Sequence, residues 1–169
     1  MRGQGNPQPS RFWRSALLWV IGIEIIGNAS GLITFGSIKG WYASLDRPPG
    51  TPPNGIFGPV WTILFALMGI AVALVWSVDR NGQPGLRRRS ALRWFGVQFL
   101  ANLAWTPAFF GFHRMDVALV IIVLLLVALA LTIGKFAALS RRAALCLVPY
   151  FCWVSYAAYL NAGFWWLNR

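Results

Sequence analysis

Residues 41–62 read WYASLDRPPGTPPNGIFGPVWT, and they hold five of the chain's ten prolines: Pro48, Pro49, Pro52, Pro53 and Pro59. Proline fixes φ and removes a backbone donor, so for most of its length this stretch is neither regular helix nor ladder strand. It is a stiff loop. Fewer conformations are lost when it orders, so it can hold a shape that a loop of small polar residues would not. Its apolar members Trp41, Tyr42, Leu45, Ile56 and Phe57 need a surface to rest on. The flanking segments are long and apolar, which makes the loop a lid over one end of a helix bundle.

The rest of the chain agrees with a bilayer as solvent. Of 169 residues 57% are hydrophobic and only 11% charged, with a mean hydropathy of +0.58, whereas soluble domains carry about a quarter charged residues. Five apolar runs are each long enough to cross a hydrocarbon core of roughly 30 Å. The expected fold is therefore an all-α membrane protein, a bundle of five transmembrane helices. Residues 1–11 form a polar tail and residues 12–169 a single membrane domain.

The net charge of +11 does not mark a nucleic-acid binder, because the cations lie between apolar runs and not along an amphipathic face. They read as topology signals. Alternate connecting segments hold eleven and four of the fifteen Lys and Arg residues, which puts the N-terminus in the cytoplasm and the C-terminus, with the Pro-rich loop, outside. The opening has the outline of a signal peptide but no clean cleavage site, and is read as an uncleaved first span. Cys146 and Cys152, six apart on one expected helix, are not expected to bridge.

Span one, residues 12–35, carries Glu24 with Asn28 one turn later. An unpaired acid at mid-membrane depth is expensive, so this face is expected to point into the bundle. Gly27 and Gly31 form a small-xxx-small pair suited to close helix approach, within the chain or between two copies. Span two runs from Phe57 to Val78, with Trp61, Phe65, Met68 and Val72 on one face. A loop from Asp79 to Arg93 follows, with turn signals at Asn81-Gly82 and Pro84-Gly85 and the run Arg87-Arg88-Arg89 placed against anionic headgroups. Span three, Leu92 to Phe110, puts Gln98, Asn102, Trp105 and Phe109 on an inward face, with a kink expected at Pro107 and Thr106 beside it. His113 reads as a solvated turn residue. Span four, Val117 to Ala138, is nearly pure aliphatic. Span five sets Tyr150, Trp153, Ala157 and Asn161 on one face, with Tyr156 and Leu160 adjoining, and ends in the interfacial pair Trp165-Trp166.

No catalytic pair, metal-ligand spacing or nucleotide fingerprint is present. The interior candidates are Tyr42, Trp61, Asn102, Trp105, Thr106, Tyr150, Trp153 and Tyr156. This inventory suits a flat, largely apolar ligand held by ring stacking and a few hydrogen bonds.

Taken together, WYxxL, Arg47-Pro48, Pro52-Pro53 and FGPVWT, then NLAWTPxFFG, then PYxxWxSYAxxLN resemble the TspO/MBR family of tryptophan-rich sensory proteins, over roughly residues 15–168. The resemblance implies a five-helix bundle, usually a homodimer, that needs no cofactor. It would bind porphyrins (protoporphyrin IX or haem) and sterol-like or benzodiazepine-like ligands beneath the loop, in a receptor or carrier role. By position it assigns Asn102, Trp105, Trp153, Ala157 and Leu160 to the ligand site. Two departures bear on function. Where the family usually has a tryptophan linked to light-dependent porphyrin degradation stands Gly50, which argues against the enzymatic alternative. Where the sterol pattern needs an aromatic stands Ala162. A third alternative is a transporter coupled through Glu24.

Overall fold

The computed structural model describes residues 9–78 and 84–169. The polar tail up to residue 8 and the Asn81-Gly82 turn lie outside the described residues. Five long helices account for most of the chain: α1 (Pro9–Lys39), α2 (Phe57–Trp76), α3 (Pro84–Thr106), α4 (Met115–Ala137) and α5 (Arg141–Leu167). Four of them, α1, α2, α4 and α5, are long and apolar enough to cross a membrane.

α3 departs from the sequence reading. Arg87, Arg88 and Arg89, expected in a loop, sit on its first turns because the helix begins at Pro84, well before the apolar run. Proline is well suited to a first helical position and arginine is a good helix former, so nothing delays the start until Leu92. Pro84-Gly85 is therefore a helix start and not a turn. α1 likewise begins at Pro9, inside the stretch read as tail, and runs on to Lys39.

Between helices in lipid there is no hydrophobic drive, so association depends on close packing. Glycine supplies it between α1 and α2. A Cβ on Gly69 would stand 2.5 Å from the Val20 Cα, and one on Gly27 would stand 2.5 Å from the Phe65 ring. The Gly27 half of the small-xxx-small pair is thus used within the chain. These contacts run the two helices antiparallel. α2 then packs on α5, α5 on α4 and α4 on α3, and α3 returns to α1. Phe95 of α3 stacks on Phe136 of α4 at 6.1 Å, and the Ser140 hydroxyl accepts from the Ala143 N–H to cap α5. The core is built from Met68, Val72 and Val75 of α2, Ile122, Leu125 and Leu129 of α4, and Leu147, Tyr150 and Val154 of α5. The opposite side of α4, with Val120, Val123, Leu124 and Val127, is exposed.

Two expectations, one about the face that carries Glu24 and one about Pro107, need correction. The inward seam of α1 is Ala16, Ile23 and Gly27. Glu24 and Asn28 stand one residue, about 100°, round from it. Glu24 is therefore only half-buried and meets the Asn28 amide on its own helix, while Asn28, though largely exposed, reaches the central hollow as expected. At Pro107 the helix does not simply kink. Residues Pro107–Gly111 form a single π turn, closed by Phe112 N–H to Pro107 C=O at 2.8 Å, a usual way for a helix to absorb a disturbed hydrogen-bond ladder.

The Pro-rich segment is irregular apart from short 3₁₀ turns at Trp41–Ser44 and Asn54–Ile56. Tyr42 is 2% exposed, seated among Phe109, Phe110 and Phe164. Ile56, expected to be covered, is exposed; the 3₁₀ turn that leads into α2 carries it outward. The segment is tied to α5 at several points. The Tyr159 hydroxyl donates to Pro49 C=O at 3.1 Å and that of Tyr156 to Gly50 C=O. The Asn168 side chain accepts from Asp46 N–H at 2.9 Å and donates to Asp46 C=O at 3.0 Å. Pro48 lies so close to Gly163 that a Cβ there would be 2.6 Å away.

Candidate functional site

A cavity of about 340 Å³ lies inside the ring of helices, toward the Pro-rich segment. Gly27, Asn28, Gly31, Thr34 and Ile38 of α1 form one wall, Trp61 and Phe65 of α2 another, and Asn102, Trp105 and Thr106 of α3 with Trp153 and Ala157 of α5 the far side. Tyr42, Asn54, Gly55 and Phe57 line it at the Pro-rich end. The hollow exists because α1 brings glycine to the level at which α2, α3 and α5 bring rings. Nothing stands within 4 Å of where a Gly31 Cβ would be.

The rings are held in place by their neighbours. Trp61 packs on Phe65 at 5.3 Å and meets Tyr150 edge-on at 6.1 Å. Trp153 meets Phe57 edge-on at 6.2 Å and Tyr156 at 5.8 Å. Trp105 stacks on Phe109 at 5.6 Å, and its indole N–H donates to Asn161 Oδ1 at 3.0 Å. Asn161, 1% exposed, donates in turn to Met115 C=O at 2.9 Å, so the ring is set by a side chain that does not itself line the cavity.

Of the residues singled out from the sequence, Tyr42, Trp61, Asn102, Trp105, Thr106, Trp153 and Ala157 come together around this cavity. Three do not. Tyr150 is fully buried behind Trp61, Leu160 lines a small adjoining pocket of about 30 Å³ with Phe109, Asn161 and Phe164, and Tyr156 spends its hydroxyl on Gly50. On α5 the cavity meets only the turn from Trp153 to Ala157, although along α1 it extends from Gly27 to Ile38. Tyr150 is screened from it by Trp61, and Leu160 turns toward Phe109 and Phe164. Phe57, Phe65 and Phe110, and the polar Asn28, Thr34 and Asn54, also line it and were not picked as site residues. Gln98, expected on the inward face, is buried in the helix packing at 0% exposure and not in the cavity.

Among the described residues, no ionisable side chain other than Tyr42 lines the cavity, and burial pushes the Tyr42 phenol pKa upward against the opposing pull of Arg47. Arg47 sits over the Tyr42 ring at 5.6 Å. Among the described residues, no three of His, Cys, Asp and Glu come together as a metal site. The arrangement stacks flat rings and offers amides and hydroxyls to a few polar atoms. It holds no nucleophile paired with a base.

Position 50 has a local explanation. Gly50 has φ of 82° and follows Pro49, with Thr51 N–H returning to Pro48 C=O at 3.3 Å. That is a type II turn, whose third position demands the left-handed region and so favours glycine.

The model of the TspO/MBR family matches residues 18–167. A tryptophan-rich protein TspO of Chlorobaculum tepidum is 40% identical over 136 residues, 80% of this chain and 84% of that protein. One from Archaeoglobus fulgidus is 36% identical over 149 residues, 88% and 94% of the two chains. A translocator protein of Ovis aries is 33% identical over 157 residues, 89% and 92%.

Proposed function

The chain belongs to the TspO/MBR family of integral, multi-pass membrane proteins, and from that membership and its cavity we propose that it is a receptor or carrier for porphyrins and related flat apolar ligands. In this reading all five helices cross the bilayer, α3 included, and the Pro-rich segment is the lid of the ligand site. One observation carries the proposal. Trp61, Trp105 and Trp153, from three different helices, surround one hollow with the amide of Asn102, and no charged side chain among the described residues lines it. Rings offset against a flat ligand each add about 0.5–1.5 kcal/mol beyond the area they bury. The volume of about 340 Å³ stands near the lower end of the ~300–1,000 Å³ of small-molecule sites, so a tetrapyrrole would occupy all of it and press on the lid.

Titrating protoporphyrin into the purified protein in nanodiscs should quench tryptophan fluorescence saturably. Trp153→Leu should weaken the affinity about tenfold, the equivalent of about 1.4 kcal/mol. Unchanged affinity in that variant, after its own smaller signal is allowed for, would remove the cavity from the binding account. A degradative role fits less well: the resemblance links degradation to a second ring at position 50, and here Gly50 occupies a glycine-favouring turn with its carbonyl bound by Tyr156.

A further inference from the structure

The Glu24–Asn28 pair on α1 is left unused by the stacking reading, yet Asn28 lines the cavity. Its amide nitrogen donates twice to one residue, at 2.9 Å to the Glu24 backbone carbonyl and at 2.7 Å to Glu24 Oε2. An amide has two N–H donors, and both are spent. Turning the amide over would set its oxygen against two other oxygens, so the hydrogen bonds settle its orientation. The group left for the cavity is the Asn28 carbonyl oxygen. A second observation points the same way. Asn54 also lines the cavity, and its Oδ1 is buried with no hydrogen-bonding partner among the described residues. Trp105, whose N–H could have served a ligand acceptor, has given it to Asn161. The site therefore has acceptors to spare, and the one on Asn54, buried without a donor, is costly to leave unmet.

We propose that Glu24 is a positioning residue that fixes Asn28 as a hydrogen-bond acceptor, and that the cavity thereby selects planar ligands carrying an N–H or O–H donor at their edge over equally flat ligands without one. The inference rests on the cavity being the ligand site. It assigns Glu24 an orienting task and not a charge-coupling one, so a neutral side chain that can still accept from the Asn28 amide should serve.

Carbazole and N-methylcarbazole are flat, differ at the one N–H and need no porphyrin to report. Calorimetric titration into the full chain in nanodiscs, with empty nanodiscs as the reference for partitioning, should show carbazole binding about three- to tenfold more tightly, the yield of one neutral hydrogen bond. Asn28→Leu and Glu24→Leu should bring the two affinities together, and Glu24→Gln should keep them apart, because its amide oxygen still accepts from Asn28. Both leucine changes remove a polar group from a half-exposed or exposed site on an apolar helix, so folding is preserved, and an unchanged melting temperature verifies it. Equal affinities in the unaltered protein would overturn the inference, as would a preference that survives both leucine variants or vanishes in Glu24→Gln. If neither compound binds above the empty-disc reference, the cavity itself is not the ligand site and the function proposed above falls with it.

Discussion

Asn161 accepts the Trp105 indole N–H and hands its own amide hydrogen to Met115 C=O, so one buried side chain of α5 ties the end of α3 to the start of α4. In Asn161→Ala both partners lose their bond. The expected cost is about 1–3 kcal/mol, read as a lower melting temperature in detergent, and a variant that melts with the parent would show that the bonds contribute nothing net. Gly50 is decisive in a different way. At φ of 82° an alanine pays the left-handed penalty, about 1–2 kcal/mol. Gly50→Ala should therefore lower stability by that amount and speed proteolytic cleavage within residues 46–53. Gly50 stood out in the sequence as a departure from the family pattern. That it occupies the third position of a tight turn follows from its neighbours Pro48, Pro49 and Thr51 and is visible only with the backbone traced.

Glycine also sets how closely the helices approach. With a Cβ 2.5 Å from the Val20 Cα, Gly69→Leu must push α1 off α2, because backbone cannot yield as a flexible side-chain end can. Overpacking of this kind costs about 1–3 kcal/mol or more, and denaturant unfolding in mixed micelles should show it. Gly22→Ala is the contrasting case. Nothing lies within 4 Å of its Cβ position, and the change should be neutral or stabilise α1 by up to about 1 kcal/mol. Helix existence was legible from the apolar runs. The ends were less so: α3 starts at Pro84, eight residues before its apolar run, since helix formation follows capping and propensity whereas the apolar run marks what the bilayer covers. The π turn at Pro107–Gly111 was foreshadowed by Pro107 only as a disturbance, because several backbone adjustments relieve the same lost hydrogen bond.

Over the whole molecule the cations are concentrated at one end. Arg88 stacks on Trp76 and Phe95 on Phe136, which brings Arg87, Arg88, Arg89, Arg93, Lys135, Arg141 and Arg142 to the end opposite the Pro-rich segment. Asp46 and Asp116 lie at the other end among only four cations, Lys39, Arg47, Arg114 and Arg169, with Asp116 paired to Arg114 at 2.8 Å. The expectation from the positive-inside rule is that the basic end faces the cytoplasm. With the two native cysteines replaced by alanine, an impermeant thiol reagent should label Ser44→Cys and spare Leu86→Cys in intact cells; the reverse pattern would invert the topology. Composition and hydrophobic period alone were enough to identify an all-helical membrane chain and to say that Asn102, Trp105, Trp153 and Ala157 look inward, because a helix repeats its face every 3.6 residues whatever it packs against. They could not say which inward residues meet a partner and which meet empty space. That depends on what the facing helix delivers at the same height, and here Gly31 of α1 faces open space beside the hollow lined by Trp61, Trp105 and Trp153, while Tyr150, one turn away on the same face, is packed solid.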